Sequence, residues 1–254
     1  MKILRVCAVA LAVLLLAGAC GGGDGDAEGD DAAAEAIAAP DYDEFCEGVV
    51  RAEAGVLAAA SGGDPGDIEG LIATVEETAP EELQEQVAVI IAGVNEALET
   101  KDDAPFETEE FSTNDEEVDL WVADNCGWDS VHVAAVEYAF EEVPETLPAG
   151  FTTFHFANEG EEMHEMLMVR YKDESLTIDD LIKLSEKDAQ EKIDFLGASF
   201  GPPGATDSET KELTPGKYAL ICFVPVGSTS EEAAEKADGP PHVAKGMSAE
   251  FTVE

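Results

Sequence analysis

"TPGKYALICFVP", residues 214–225, is the stretch on which the reading of the fold turns. Pro215 and Gly216 make a turn, since proline fixes φ and glycine tolerates what other residues do not. The run Lys217–Val224 is then apolar, short and closed by Pro225, which reads as a strand. Working outward, the same short-strand rhythm recurs. "FTTFHFAN" (151–158) puts Phe154 and Phe156 on one face, and Met166, Met168 and Arg170 alternate with Leu167, Val169 and Tyr171. "LPAG" (147–150) is a turn, and "SAEFTVE" (248–254) closes the chain. Val131, Val133 and Ala135 alternate, and Tyr138 and Phe140 continue with a one-residue slip that reads as a bulge. Residues 177–196, with Thr177 as N-cap and Leu181, Ile182 and Leu184 behind it, read as a helical insertion. Residues 128–254 are therefore expected to form an antiparallel Greek-key β-sandwich of two sheets, with one core.

Upstream the period changes from two to about 3.6. Phe45, Val49, Ala52 and Val56 make one helical stripe, and Ile68, Leu71, Ile72 and Val75 another. Leu83, Val87, Ile90, Val94 and Leu98 make a third, with Thr78–Glu81 in front as a capping box. Val118, Trp121 and Val122 mark a short fourth helix ending at Asn125-Cys126-Gly127. Residues 41–127 thus read as a small helical domain, which makes the chain α+β overall. Its stripes gather neither histidines nor paired carboxylates, so no chemistry is assigned to them.

The first 20 residues carry Lys2 and Arg5, then an apolar run too short for a comfortable membrane span, then small residues up to Cys20. "LAGAC" resembles a bacterial lipobox, with Ala17 where Leu is commoner, so residues 1–20 are expected to be a lipoprotein signal peptide and Cys20 the lipidated residue. Residues 21–40, rich in Gly, Ala and acids without aromatics, read as a disordered acidic tether with a reach of roughly 25 Å. The expected location is extracytoplasmic, on the bacterial cell membrane. With 57 acidic and 13 basic residues the formal charge is −44. That excludes nucleic acid as a natural partner and admits a basic one, though a solvating surface suited to a salty habitat accounts for it too.

Of five cysteines, Cys7 leaves with the signal and Cys20 takes the lipid. Cys46 opens the first helix and Cys126 closes the last, and a disulfide between them would staple the helices, worth ~4.5 kcal/mol in the chain-entropy estimate. Cys222 is left over, and an odd thiol outside the cytoplasm needs a reason to stay reduced. His164 follows "ANEGEEM", and "GPPHVAKGM" (239–247) brings His242 and Met247 together in a Pro/Gly loop. Two imidazoles, one thiolate and a weak thioether are the ligand set of a type 1 (blue) copper site; zinc favours such donors as well. His132 and His155 lie on strands and read as structural or exposed. Met163 is a possible extra sulfur.

On these residues the half from about 129 to 254 resembles the cupredoxins, the plastocyanin and azurin family. "FHFANEGEEMH", "GKYALIC" and "HVAKGMSAEFTV" resemble that family's ligand-bearing segments, in the order His, Cys, His, Met. The resemblance implies one type 1 copper held by His164, Cys222 and His242 with Met247 axial, and single-electron exchange with a redox partner protein. Two departures stand out. Cys222 and His242 are 20 residues apart rather than a few, and Glu165 follows the first His where the family often has an Asn that braces the Cys loop. No enzymatic activity is expected, since four histidines are too few for an oxidase acting alone. A copper carrier or sensor using the same ligands, and a metal-free binding module, are the other readings.

Overall fold

The computed structural model describes residues 42–254; the expected signal, tether and Cys20 lie outside them. Four helices come first: α1 (Asp43–Ala60), α2 (Ile68–Thr78), α3 (Gln84–Thr100) and α4 (Glu109–Asn125). Phe45, Val49, Val75, Leu83, Val87, Val118 and Val122 fill their common core, and a disulfide joins Cys46 of α1 to Cys126 just beyond α4. Two details differ from the sequence reading. Thr78 caps nothing ahead of α3: it is the last residue of α2, its hydroxyl donates to the Thr74 carbonyl at 2.7 Å, and α3 is entered through a 3-10 turn at Glu81–Leu83. A threonine hydroxyl within a helix finds the carbonyl four residues back more readily than an amide ahead. α4 is also longer than its apolar stripe, because Thr108 caps it by accepting the Phe111 N–H and an acidic first turn suits a helix N-terminus.

The remaining chain forms the expected two-sheet sandwich. One sheet orders β2 (Ala139–Glu141), β1 (Asp129–Val136), β4 (Gly150–Asn158) and β7 (Thr206–Leu213). The other orders β3 (Thr146–Leu147), β9 (Ser248–Val253), β8 (Gly216–Ile221), β5 (His164–Tyr171) and β6 (Ile193–Gly201). Neighbours run antiparallel except β1–β4 and β3–β9, which are parallel. What read as a bulge after β1 is a reversal: β2 folds back so that Ala134 faces Glu141. Val131, Val133, Phe154 and Phe156 from one sheet meet Met166, Met168, Tyr218, Leu220 and Phe251 from the other, all nearly free of solvent. The Tyr218 ring stacks on Phe251, and its hydroxyl donates to the Thr214 carbonyl at 2.7 Å, tying down the Pro215-Gly216 turn.

The insertion is two short helices, α5 (Ile178–Leu181) and α6 (Glu186–Gln190). Thr177 and Asp180 form a reciprocal capping box. Leu181 packs against Val169, Tyr171, Ala219 and Ile221, so β5 and β8 are covered on both faces. The polar strand β7 and the strand β6 escaped the sequence reading, β6 because it begins at Ile193, inside the stretch to 196 that read as helical. They are the outer edges of the two sheets, lie side by side, and carry α1 and α4 over their seam. There Trp128 stacks on Phe151 at 4.4 Å, the Arg51 guanidinium sits over the same Phe151 ring, and Arg51 bonds Glu212 at 2.9 Å.

Candidate metal centre

Three separate segments converge at one end of the sandwich. Cys222 directly follows β8, and its backbone is gripped from the far side of the next connection: its N–H donates to the Met247 carbonyl at 3.2 Å and its carbonyl accepts the Val243 N–H at 2.8 Å. The ladder continues outward as the His242 N–H donates to Val224 (2.9 Å) and the Val226 N–H donates to Pro240 (3.0 Å). Pro240 and Pro241 have no N–H to offer, so they suit this outer rung, where carbonyls accept. The long separation between Cys222 and His242 is thereby absorbed. The chain leaves after Val226, makes a short helix, α7 (Glu231–Lys236), and returns in register at Gly239, where a Cβ would stand 2.7 Å from the Val226 carbonyl oxygen. His242 opens a 3-10 turn, and Gly246, at φ 105°, reverses the chain so that Met247 precedes β9.

His164 is the first residue of β5. The turn before it is held by Asn158, whose side-chain N–H groups donate to the carbonyls of Glu162 (2.9 Å) and Gly201 (2.8 Å), while its oxygen accepts the Gly160 N–H.

His164, Cys222 and His242 are fully enclosed, and one ligating atom of each lies within 4.8 Å of the other two. The Nδ1 atoms of the two histidines are 3.1 Å apart, and Cys222 Sγ is 3.4 Å from His242 Nδ1. Among the described residues this is the one such grouping of metal-ligating side chains. Met247 is equally enclosed, in the same core cluster as Cys222. His132 and His155 are elsewhere: their rings stack at 4.9 Å on neighbouring strands, and His155 Nδ1 bonds the Ser208 hydroxyl. Met163 is buried beside His164, its N–H bonded to the Ser228 carbonyl.

The surroundings of the ring nitrogens carry most of the chemistry. His164 Nε2 faces Glu137 Oε1 at 3.3 Å, and His242 Nε2 faces Glu162 Oε2 at 3.1 Å. Burial works to raise both carboxyls, but the N–H groups of Glu162 and Glu161 on Glu137, and of Gly227 on Glu162, outweigh it and hold both below the ordinary glutamate value. An ionised carboxylate only accepts, so each is placed to take a hydrogen from the Nε2 atom it faces. Burial lowers both imidazole pKa values, and for His164 the neighbouring His242 adds to the effect. Both shifts favour the neutral rings, and the two Nδ1 atoms face each other across 3.1 Å. Cys222 completes the set. Burial pushes its thiol up to about 12 against the help of the Glu165 and Val224 N–H groups, the first at 3.3 Å from the sulfur.

Two imidazole nitrogens and a sulfur converge in a fully enclosed pocket. Such a donor set fits a cation: imidazole and thiolate are the ligands of copper and zinc, and a bound metal displaces the thiol proton that burial otherwise retains.

Three acidic side chains stand near the centre, and two of them escaped the sequence reading. Glu165, the residue where the family resemblance departs, braces the Cys segment: its N–H points at Cys222 Sγ and its carboxylate accepts the Phe223 N–H at 3.2 Å. Glu137 and Glu162 are the other two. Glu162 had one signal in the sequence, the acid-rich "NEGEEMH", and Glu137 had none, in a chain where acids are everywhere.

Comparison with known proteins finds no matching family model and no matching curated protein. Solved structures do match. Auracyanin from Roseiflexus castenholzii is 20% identical over 50% of this chain and 98% of its own, with a TM-score of 0.34. Auracyanin A, described as a "blue" copper protein from Chloroflexus aurantiacus, is 17% identical over 49% of this chain and 98% of its own, at 0.32. Rusticyanin from Thiobacillus ferrooxidans is 17% identical over 50% of this chain and 79% of its own, at 0.29. Likenesses of that strength carry no argument about function; the site's own atoms do.

Proposed function

We propose that the protein binds one type 1 copper through His164, Cys222 and His242, with Met247 as the weak axial donor, and serves as a single-electron carrier. The observation behind the reading is the convergence of two imidazole Nδ1 atoms and one thiol sulfur, fully enclosed and delivered by three separate segments. Copper bound there supplies a one-electron couple. The chain's own residues supply the rest. Glu165 and the backbone rungs between 222–226 and 240–247 hold the sulfur and His242 in place, so little need move when the charge changes. Enclosure keeps water from the thiolate. The mixed sulfur and nitrogen donors disfavour neither oxidation state strongly.

The anchoring at Cys20, the extracytoplasmic location and a basic redox partner belong to the same proposal, supported by the lipobox-like "LAGAC" and the charge of −44. The test is titration of the mature protein with Cu(II). An intense visible thiolate-to-copper band with narrow hyperfine splitting is expected. Uptake of zinc with no coloured copper form, or no uptake of either ion, overturns the reading.

A further inference from the structure

Each imidazole in the centre is held from behind by its own carboxylate, and the two carboxylates are held in turn. Glu137 Oε1 accepts the N–H groups of Glu161 (2.6 Å) and Glu162 (2.8 Å) as well as facing His164. Glu162 uses both oxygens: Oε2 takes the His242 Nε2–H and the Gly227 N–H, and Oε1 accepts the Tyr138 hydroxyl at 3.1 Å. The Tyr138 ring packs on the His242 ring at 4.8 Å, so one residue fixes both the imidazole plane and the carboxylate behind it. Glu137 and Tyr138 adjoin in sequence, and together they bridge to both histidines. Gly160 completes the fit: a Cβ there would stand 2.5 Å from Glu137 Oε1 and 2.6 Å from His164 Nε2.

We propose that Glu137 and Glu162 are positioning residues that lock His164 and His242 in the Nε2–H tautomer before any metal arrives, and that their two negative charges, one imidazole removed from the centre, bias a bound redox metal toward its more oxidised state. The first half needs no metal. The second rests on the copper reading above. The physical basis is general: a carboxylate behind a ligating histidine sets the ring's tautomer and raises its basicity, and loss of such a partner costs about 10–100-fold in metal affinity. A negative charge near a redox ion favours the higher cationic charge, most strongly where water is excluded.

The lock is tested on metal-free full-length protein by ¹⁵N NMR of the imidazole nitrogens. Both histidines should show protonated Nε2 and bare Nδ1. Observation of Nδ1–H on either ring overturns the lock, and this readout stands whether or not copper binds. The bias is tested with Glu162→Gln, which keeps an acceptor oxygen toward His242 while removing the charge, and Glu137→Gln in parallel. In each the hold on Cu(II) relative to Cu(I) should weaken about tenfold, which for a one-electron couple is an upward shift in potential of about 59 mV. An unchanged potential in both copper-loaded variants overturns the bias. Failure of the wild type to bind copper overturns the copper reading, and with it the bias, while the tautomer result is unaffected.

Discussion

The molecule gathers acidic side chains in two places and treats them in opposite ways. Behind the metal centre, Glu137 and Glu162 are surrounded by backbone N–H groups and imidazoles and are held below the ordinary glutamate value. At the seam between helices and sandwich, Glu53 of α1, Asp115 and Asp119 of α4, and Glu209 of β7 gather around Lys211, with Asp207 beside Glu209. Burial pushes Glu53, Asp119 and Asp207 up and takes Asp115 to about 7. Lys211 bonds Glu209 at 2.9 Å, and the pull of Glu209 and Glu53 raises it although burial opposes its charge. Depth and donors both separate the two groups. Glu137 is exposed, Glu162 is only partly buried and both accept backbone N–H groups, whereas the seam acids lie deeper and face mostly one another, which favours their protonated forms.

The largest way to disturb this contrast is to loosen the helices that form one wall of the seam. Replacing Cys46 and Cys126 by Ala should cost ~4.5 kcal/mol of stability in the chain-entropy estimate, read by urea unfolding. The metal-centre imidazoles should be unmoved, since no helix of the N-terminal unit supplies a ligand.

Lys211→Met comes next. It leaves Glu209 and its acidic neighbours without their cation, which should cost about 3 kcal/mol at pH 8, as removing one partner of a buried ion pair does. At pH 5 the cost should shrink, because the seam carboxyls can take up protons instead. An equal penalty at both pH values would show that the seam acids are ionised throughout.

Without any mutation, the seam should make the protein less stable as pH rises. Carboxyls with raised folded values bind more protons folded than unfolded, so their contribution is full below about 4 and is lost as pH climbs toward about 7. The groups behind the metal centre give the opposite sign: their lowered values add stability that is lost on acidification below about 4. Urea midpoints from pH 4 to 8 in wild type and in Asp115→Asn separate the two, since the substitution should flatten only the upper part of the curve.

The smallest effect falls on the other side of the contrast. Gly160→Ala should push Glu137 off His164 and weaken metal binding about tenfold, ~1.4 kcal/mol, while leaving the pH dependence of the seam as it was.

Much of this architecture was legible in the chain. The helical stripes, the turns at 147–150 and 214–216, and the inward faces of β4 and β8 announce themselves because burial of one face imposes a period. The types and order of the soft donors were legible too, since few residues offer sulfur or imidazole. β6 and β7 were not. "TDSETKEL" pairs Thr210 with Thr153 and Ser208 with His155 on one face and gathers Asp207, Glu209 and Lys211 on the other, so it lacks the apolar alternation that marks a half-buried strand. The capping box at Thr78–Glu81 matched a pattern whose first residue was already committed to the preceding helix.

By itself, then, the sequence determined which elements form, where apolar faces lie, and which side chains have the chemistry to hold a metal. Only the tertiary structure decided that His242 returns to Cys222 across a 20-residue separation and that Glu137 and Glu162 stand behind the two imidazoles. It alone put four acids around one lysine at the seam. The reason is one of range. Periodicity and turn chemistry act between near neighbours and leave a repeating trace, whereas a hydrogen bond between residues 27 or 80 apart involves two polar side chains like many others, and only the packed chain selects the pair.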